Sequence, residues 1–116
     1  MTEESEPTEQ WRESAELLRL LGHPLRLALL EDLLEGPRCV TDLQQLLNAR
    51  QANISQHLAV LRQARLVGFH EEGNTHCYYL RRPGLVRALL TVLRDDYPSV
   101  SLSKQEIKRR AAHRGH

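Results

Sequence analysis

The sequence predicts one mainly helical domain that carries a small β-hairpin. Its 116 residues match the length of a single domain, and 41% of them are hydrophobic, which suffices for one modest core. In several stretches leucines recur at helical spacing. In one later stretch apolar and polar residues alternate on either side of a Gly-Asn pair. Because only 4% of the residues are aromatic, leucine, valine and alanine must form most of the core.

The first half of the chain is predicted to hold three helices and one short extended segment. The breakers Gly22-His23-Pro24 and Gly36-Pro37 separate the helical patterns. Thr41 is predicted to cap the third helix. The predicted elements are, in order, a helix over 9–21, a helix over 24–35, an extended segment over 38–40 and a helix over 42–48.

The second half of the chain is predicted to hold a helix, a hairpin and further helices. Gly73-Asn74 is a two-residue hairpin turn signal, and Pro83-Gly84 ends the alternating pattern. Ser103 and Glu106 have the spacing of a cap for a short basic helix. The other predicted elements are a helix over 51–64, strands over 66–72 and 75–81, and a strong helix over 85–96.

This order of elements predicts a winged helix-turn-helix fold, mainly α with a small β-wing. Two short helices flank a tight turn at 48–50, and the hairpin follows directly. The domain is predicted to cover 8–98, between a disordered acidic tail over 1–7 and a basic tail over 99–116. The first helix and the last strong helix are unusually apolar, which predicts a homodimer through both. The alternative is that both helices pack only into their own core.

Three segments of the chain resemble the ArsR/SmtB family of bacterial repressors. They read LGHPLRL at 21–27, NISQHLAVLRQA at 53–64 and GNTHCYYL at 73–80. Their order and spacing match the family over roughly 12–95, which is most of the chain. The resemblance implies a dimeric repressor that leaves DNA when a metal, a metalloid or a redox signal arrives.

The helix over 51–64 is predicted to read DNA. With Ile54, Leu58 and Leu61 facing the core, it turns an uncharged strip outward. That strip holds Ala52, Asn53, Gln56, Ala59, Val60 and Gln63. Asn and Gln side chains can pair with an adenine edge in the major groove, and flanking residues suit phosphates. The predicted DNA-binding residues are Arg50, Gln51, Ala52, Asn53, Ser55, Gln56, His57, Arg62 and Arg81. The alternative is an ordinary polar helix face, although such faces usually carry more Glu and Lys.

Four positions depart from the family pattern. Arg50 replaces the usual serine cap, so Asn48 is expected to cap the reading helix instead. Arg65 replaces the usual glycine after this helix, so a non-glycine residue is expected in the left-handed conformation. Glu71 and Glu72 stand at the wing tip, where basic residues would bind phosphate better.

The two cysteines, Cys39 and Cys77, are the candidate sensor. The family's metalloid site resembles CVCDLC, whereas residues 39–44 read CVTDLQ and keep only the first cysteine, so no metal site and no cofactor are expected. The predicted hairpin places Cys77 opposite His70, and the extended segment before the third helix is expected to bring Cys39 near residues 77–79. This predicts a redox pair. The alternative is two buried thiols without a role.

The charge distribution is consistent with a partner that carries phosphates. The net charge is only +1, but residues 38–65 hold four arginines against one aspartate, whereas residues 1–10 hold four glutamates and no basic residue. We expect no membrane span and, because the acidic start is unlike a secretory signal, a cytoplasmic location. No nucleophile–base pair or phosphate loop indicates an enzyme. A winged-helix protein-interaction module without specific DNA binding is the alternative function, and double-stranded DNA with a palindromic operator is the expected partner.

Overall fold

A computed structural model describes residues 7–114 of the chain. The predicted tail over 1–7 lies, apart from Pro7, outside the described residues. The elements are a 3-10 helix Pro7–Trp11, α1 Arg12–Leu21, α2 Pro24–Leu33, β1 Arg38–Cys39, α3 Val40–Leu47, α4 Gln51–Gln63, β2 Val67–Glu72, β3 Thr75–Leu80, α5 Pro83–Arg94 and α6 Lys104–Arg114. This order confirms the mainly helical winged helix-turn-helix fold. Within residues 7–114 no helix has the length and apolar character needed to cross a bilayer.

The core is aliphatic, as the composition predicts. Its fully or nearly fully buried residues are Leu21, Leu29, Leu30, Leu33, Leu43, Ile54, Leu58, Leu61, Leu66, Val67 and Val86. Helix α4 contributes Ile54, Leu58 and Leu61 to this core, and each is completely buried. The predicted rotational phase of α4 is therefore confirmed, because these three residues fix which side of the helix faces outward.

Three antiparallel strands form the wing and join it to the body in the order β1-β3-β2. In the hairpin His70 pairs with Cys77 and Glu71 pairs with His76, which is the predicted register. Gly73 supplies the positive φ of 61° that the two-residue turn requires. Strand β1 then pairs with β3, so the central strand connects the wing to the segment that leads into α3.

Several predicted helix ends are wrong by two or three residues. Thr41 does not cap α3, because Val40 already lies inside the helix and Cys39 is the N-cap residue with extended backbone. Helix α2 ends at Leu33, and α5 begins at Pro83, where a proline suits the first helical position. These differences arise because the fixed φ of proline and the pairing of β1 override the hydrophobic spacing that set the predicted limits.

The turn between α3 and α4 departs from the expectation for Asn48. Asn48 has φ 50° and ends α3 in the left-handed conformation, which short amide side chains tolerate. It therefore cannot cap α4, whose N-cap is Arg50 with extended backbone and no side-chain cap. The expectation for Arg65 is confirmed, since its φ is 63°. The expected cap of the last helix is also present, because the backbone N–H of Glu106 donates to Ser103 Oγ at 3.1 Å.

Candidate DNA-binding surface

The outer side of α4 is an exposed strip without charged side chains. Its members are Ala52, Asn53, Gln56, Ala59 and Gln63, all exposed, together with the half-buried Val60. Because Ala52 and Ala59 are small, a duplex can approach the helix backbone closely. Asn53 and Gln56 lie on adjacent turns and present their amides side by side. We call this set the amide strip, and it can make the two-point hydrogen bonds that distinguish base edges in a major groove.

Arginines lie at both ends of the amide strip. Arg50 precedes the first turn of α4 and Arg62 lies in its last turn, and both are exposed. The Arg62 guanidinium lies 4.5 Å from the ring centroid of Phe69 on the wing, a cation–π contact that limits its side-chain freedom. Within residues 7–114 neither arginine forms an ion pair. Their charges are thus available for the phosphates on either side of a groove.

The N-terminal end of α4 borders an open cleft toward the wing. Gln51 and Ser55 line this cleft with Cys39, His76 and Tyr78 from the sheet. Gln51 and Ser55 are exposed, so both are accessible at the edge of the amide strip. The cleft places Cys39 next to the N-terminal end of α4.

His57 differs from the other predicted contacts because it turns toward the body of the domain. It is half-buried, its Nδ1 accepts a hydrogen bond from Arg26 Nε at 3.0 Å, and its ring centroid lies 4.3 Å from that of His23. Burial, followed by the charges of His23 and Arg26, lowers the pKa of His57 below its ordinary value. The imidazole is therefore neutral at neutral pH and offers a phosphate no positive charge.

The wing contributes a basic residue at its base and acidic residues at its tip. Arg81 is exposed, and its backbone N–H donates to Leu66 O at 2.9 Å, which holds it beside the C-terminal end of α4. At the tip, Glu71 Oε2 lies 3.4 Å from His76 Nε2. Glu72 is also exposed there. The tip therefore presents carboxylates rather than cations to a duplex.

Cys39 and Cys77 pair directly across β1 and β3. Their Sγ atoms are 2.9 Å apart, and both are half-buried free thiols. The hydrogen bond with the Cys77 thiol, followed by burial, raises the pKa of Cys39. Directly paired residues of an antiparallel ladder have Cα atoms about 4.5–5.5 Å apart, within the range of a disulfide. The structure thus brings together the two thiols that the sequence predicted to be neighbours. Elsewhere in residues 7–114, no group of three or more His, Cys, Asp or Glu side chains could hold a metal ion.

Two residues of α2 and its N-cap, Arg26 and His23, contact His57, and the sequence did not predict this polar contact between helices. His23 caps α2, because its Nδ1 accepts from the backbone N–H of Leu25 at 3.1 Å. Arg26 was not singled out, although it bonds both His57 and the backbone oxygen of Leu20. An arginine within the otherwise apolar first two turns of α2 was the signal that could have indicated it.

Large apolar side chains remain exposed on the first helices and on α5. Trp11 and Leu18 are 65% and 58% exposed at one end of the chain, and Val92 and Leu93 are 53% and 59% exposed on α5. Such a set exceeds what an isolated domain of this size needs to expose. These residues form what we call the apolar face.

A helix-turn-helix with an outward amide strip and a β-wing defines a winged helix-turn-helix DNA-binding domain. The chain belongs to the arsR family of bacterial regulatory proteins, whose model matches residues 23–68, from the start of α2 into β2. The HTH-type transcriptional regulator Rv0081 of Mycobacterium tuberculosis is 37% identical over 87 residues, which are 74% of this chain and 75% of that protein. The family resemblance carried by the sequence is thereby confirmed.

Solved structures have the same fold. The crystal structure of Rv0081 from Mycobacterium tuberculosis matches with a TM-score of 0.65 and 32% identity, over 95% of this chain and 98% of that chain. The transcriptional repressor BigR from Xylella fastidiosa matches with a TM-score of 0.66 and 34% identity, over 76% of this chain and 93% of that chain. These relatives are named as a transcriptional regulator and a repressor.

Proposed function

We propose that the chain is a homodimeric transcriptional repressor that binds a palindromic operator and leaves it when its thiols are oxidised. The observation that carries the proposal is the amide strip of α4, exposed along its length and flanked by Arg50 and Arg62. Uncharged amides read base edges, and the arginines hold the phosphates on both sides. The names of the relatives support the repressor function.

Dimer formation gives the domain enough contact with DNA. A single α4 of 13 residues reaches only one stretch of major groove. Two copies related by a twofold axis place their reading helices about 34 Å apart, one duplex turn, on matching half-sites. The apolar face supports this arrangement, because a second copy would remove Leu18, Val92 and Leu93 from water.

Single substitutions in α4 separate base reading from phosphate binding. We expect Gln56→Ala to cost about 1–3 kcal/mol of binding free energy on the best duplex and to relax preference at one base pair per half-site. Arg62→Ala is expected to weaken binding to all duplexes alike. It should also reduce the salt dependence of binding by about one released counterion per protomer. Fluorescence anisotropy measures both effects. It uses two duplexes: one that the purified protein has selected from a random pool, and one of unrelated sequence.

Arg87→Ala is the matched control, since Arg87 is an exposed arginine on α5, away from α4 and the wing. It should leave both affinities unchanged. An unchanged base preference in Gln56→Ala would show that the amide strip does not read DNA.

A winged-helix interaction module that binds a protein instead of DNA is the second candidate. The acidic wing tip at Glu71 and Glu72 and the net charge of +1 favour it. Selection from the random pool decides between the two functions. Enrichment of one palindrome supports the repressor, and a pool that stays random at physiological salt supports the interaction module.

The cysteine pair is the proposed receptor of the releasing signal, with a peroxide as the oxidant. Two thiols and one hydrogen peroxide yield one disulfide and two molecules of water, so the peroxide takes up the two electrons and the two thiol protons. The bond would join Cys77 in the central wing strand to Cys39, the N-cap residue of α3. Because α3 packs against α4, a covalent link at this point alters the support of the reading helix.

Thiol titration tests the signal. We expect two reactive thiols per reduced chain and none after peroxide, together with a loss of operator affinity of about tenfold or more that a dithiol reductant restores. Cys77→Ser should keep operator binding and lose its sensitivity to brief peroxide treatment. An unchanged number of free thiols after peroxide would exclude the switch and leave the DNA-binding proposal intact.

A further inference from the structure

Arg26 lies where α1, α2 and α4 meet. Its Nη1 donates to the backbone oxygen of Leu20 at 2.7 Å, and its Nε donates to His57 Nδ1 at 3.0 Å. Leu20 belongs to the last turn of α1, and His57 belongs to the middle of α4. One side chain of α2 therefore bonds the helix that carries part of the apolar face and the helix that reads DNA.

Both bonds satisfy groups that would otherwise lack partners. The carbonyl of Leu20 is one of the last four of α1, which have no partner within the helix, and a cation is favourable at this negative end of the helix dipole. The guanidinium is a rigid planar fork, so two bonds from it fix the directions of both partners together. The position of His57 relative to the end of α1 is thereby set.

His57 is held from a second side by His23. The two ring centroids are 4.3 Å apart, and His23 is itself fixed because its Nδ1 caps α2 at the N–H of Leu25. His57 immediately follows Gln56 of the amide strip, so a rotation of α4 that displaced His57 would also displace Gln56. The contact thus bears on the direction in which the amide strip points.

We infer that Arg26 is a positioning residue that sets the angle between α1 and the reading helix, and thereby the distance between the two reading helices of the dimer. This inference rests on the proposed dimeric repressor. Under this inference, a residue outside the amide strip sets the spacing between operator half-sites that the dimer prefers. The effect of Arg26 runs through His57 on one side and through the backbone of α1 on the other.

The contact requires a neutral His57. Nδ1 can accept from Arg26 only while the ring proton is on Nε2; a second proton would place an N–H against the guanidinium and two positive charges side by side. The titratable groups that face His57 are His23 and Arg26, and both, after burial, lower its pKa from the ordinary value of 6.5. A depressed histidine pKa stabilises the folded arrangement above about pH 6.5, and this contribution is lost as the pH falls through the lower, folded-state value. Operator affinity should therefore fall on acidification.

Arg26→Ala tests the inference. Binding is measured on three duplexes that carry the selected half-sites: one with the selected spacing between them, one with a spacing longer by one base pair and one with a spacing shorter by one base pair. Wild-type protein should prefer one spacing, whereas Arg26→Ala should lose about tenfold in affinity for that duplex and bind the three spacings almost equally. Arg26→Lys should not restore the preference, because an ammonium lacks the planar fork. Sedimentation and circular dichroism establish that each variant is a folded dimer. A folded Arg26→Ala dimer that keeps the wild-type spacing preference would overturn the inference.

Titration of the His57 ring by NMR gives a readout that needs neither DNA nor a variant of doubtful folding. In wild-type protein, Nδ1 of His57 should carry the ¹⁵N shift of an unprotonated acceptor at neutral pH, and the ring should titrate below the ordinary histidine value of 6.5; His57→Asn identifies the signal. Arg26→Ala, which removes a positive charge that lowers the pKa of His57, should raise that titration midpoint. An Nδ1 that is protonated in the neutral ring would overturn the inference. Failure of wild-type protein to select any duplex would instead remove the repressor function on which operator spacing depends, even with the expected NMR result.

Discussion

Replacement of Leu93 by glutamate is expected to yield a folded monomer that has lost about a hundredfold or more of its affinity for the palindromic duplex. Leu93 belongs to the apolar face and is 59% exposed on α5, so the substitution removes little from the core of one protomer. In a dimer the same position would be covered, and an unpaired carboxylate there is costly. A monomer then holds only one half-site and loses the gain from linked binding.

Sedimentation velocity and anisotropy measure the two parts of this result. Thr91→Glu is the matched control, because Thr91 is exposed on the same helix and lies about 200° around it from Leu93. It should leave the dimer and the affinity intact. A Leu93→Glu protein that stays dimeric would place the interface elsewhere, and a monomeric wild-type protein would end the proposal of a dimeric repressor.

Leu58→Ala is expected to lower the free energy of unfolding by about 2–5 kcal/mol and the Tm by about 10 °C or more. Leu58 is completely buried beneath the centre of α4, where it packs with Ile54 and Leu61. Truncation leaves a cavity beneath the reading helix, and a helix this short depends on tertiary packing for its stability. Operator affinity should fall as well, because α4 loses the contact that fixes its orientation.

Leu46→Ala provides the control for Leu58→Ala. It removes the same atoms from α3, where the side chain is 54% exposed, and should cost less than about 1 kcal/mol. Urea and thermal unfolding at one fixed protein concentration compare the two variants, since dimer stability depends on concentration. Equal losses of unfolding free energy in both variants would show that α4 does not pack on this core through Leu58.

The sequence predicted the features that depend on local spacing and turn chemistry. The three- and four-residue spacing of Ile54, Leu58 and Leu61 set the outward side of α4, and the structure buries all three. Gly73 set the hairpin register, because two-residue turns demand a positive φ there. The proximity of the two cysteines followed from the expected position of the segment at 38–40 beside residues 77–79, which the structure confirms.

The contacts that the sequence did not predict join residues far apart in the chain. Arg26 and His57 are 31 positions apart, and no periodic pattern relates an arginine on α2 to a histidine on α4. The expectation for Asn48 failed because one residue could either end α3 or cap α4, and closure of α3 took precedence. Helix limits were least predictable where proline and strand pairing competed with hydrophobic spacing.

The acidic tip of the wing has a consequence for self-association. Strand β2 is an outer strand of the three-stranded sheet, so its unpaired backbone groups could template the addition of a strand from another molecule. Glu71 and Glu72 would meet like charges in such a stack, which disfavours it. The opposite border is β1, only two residues long and too short to extend a ladder. The carboxylates at the wing tip thus disfavour association of two molecules through this edge of the sheet.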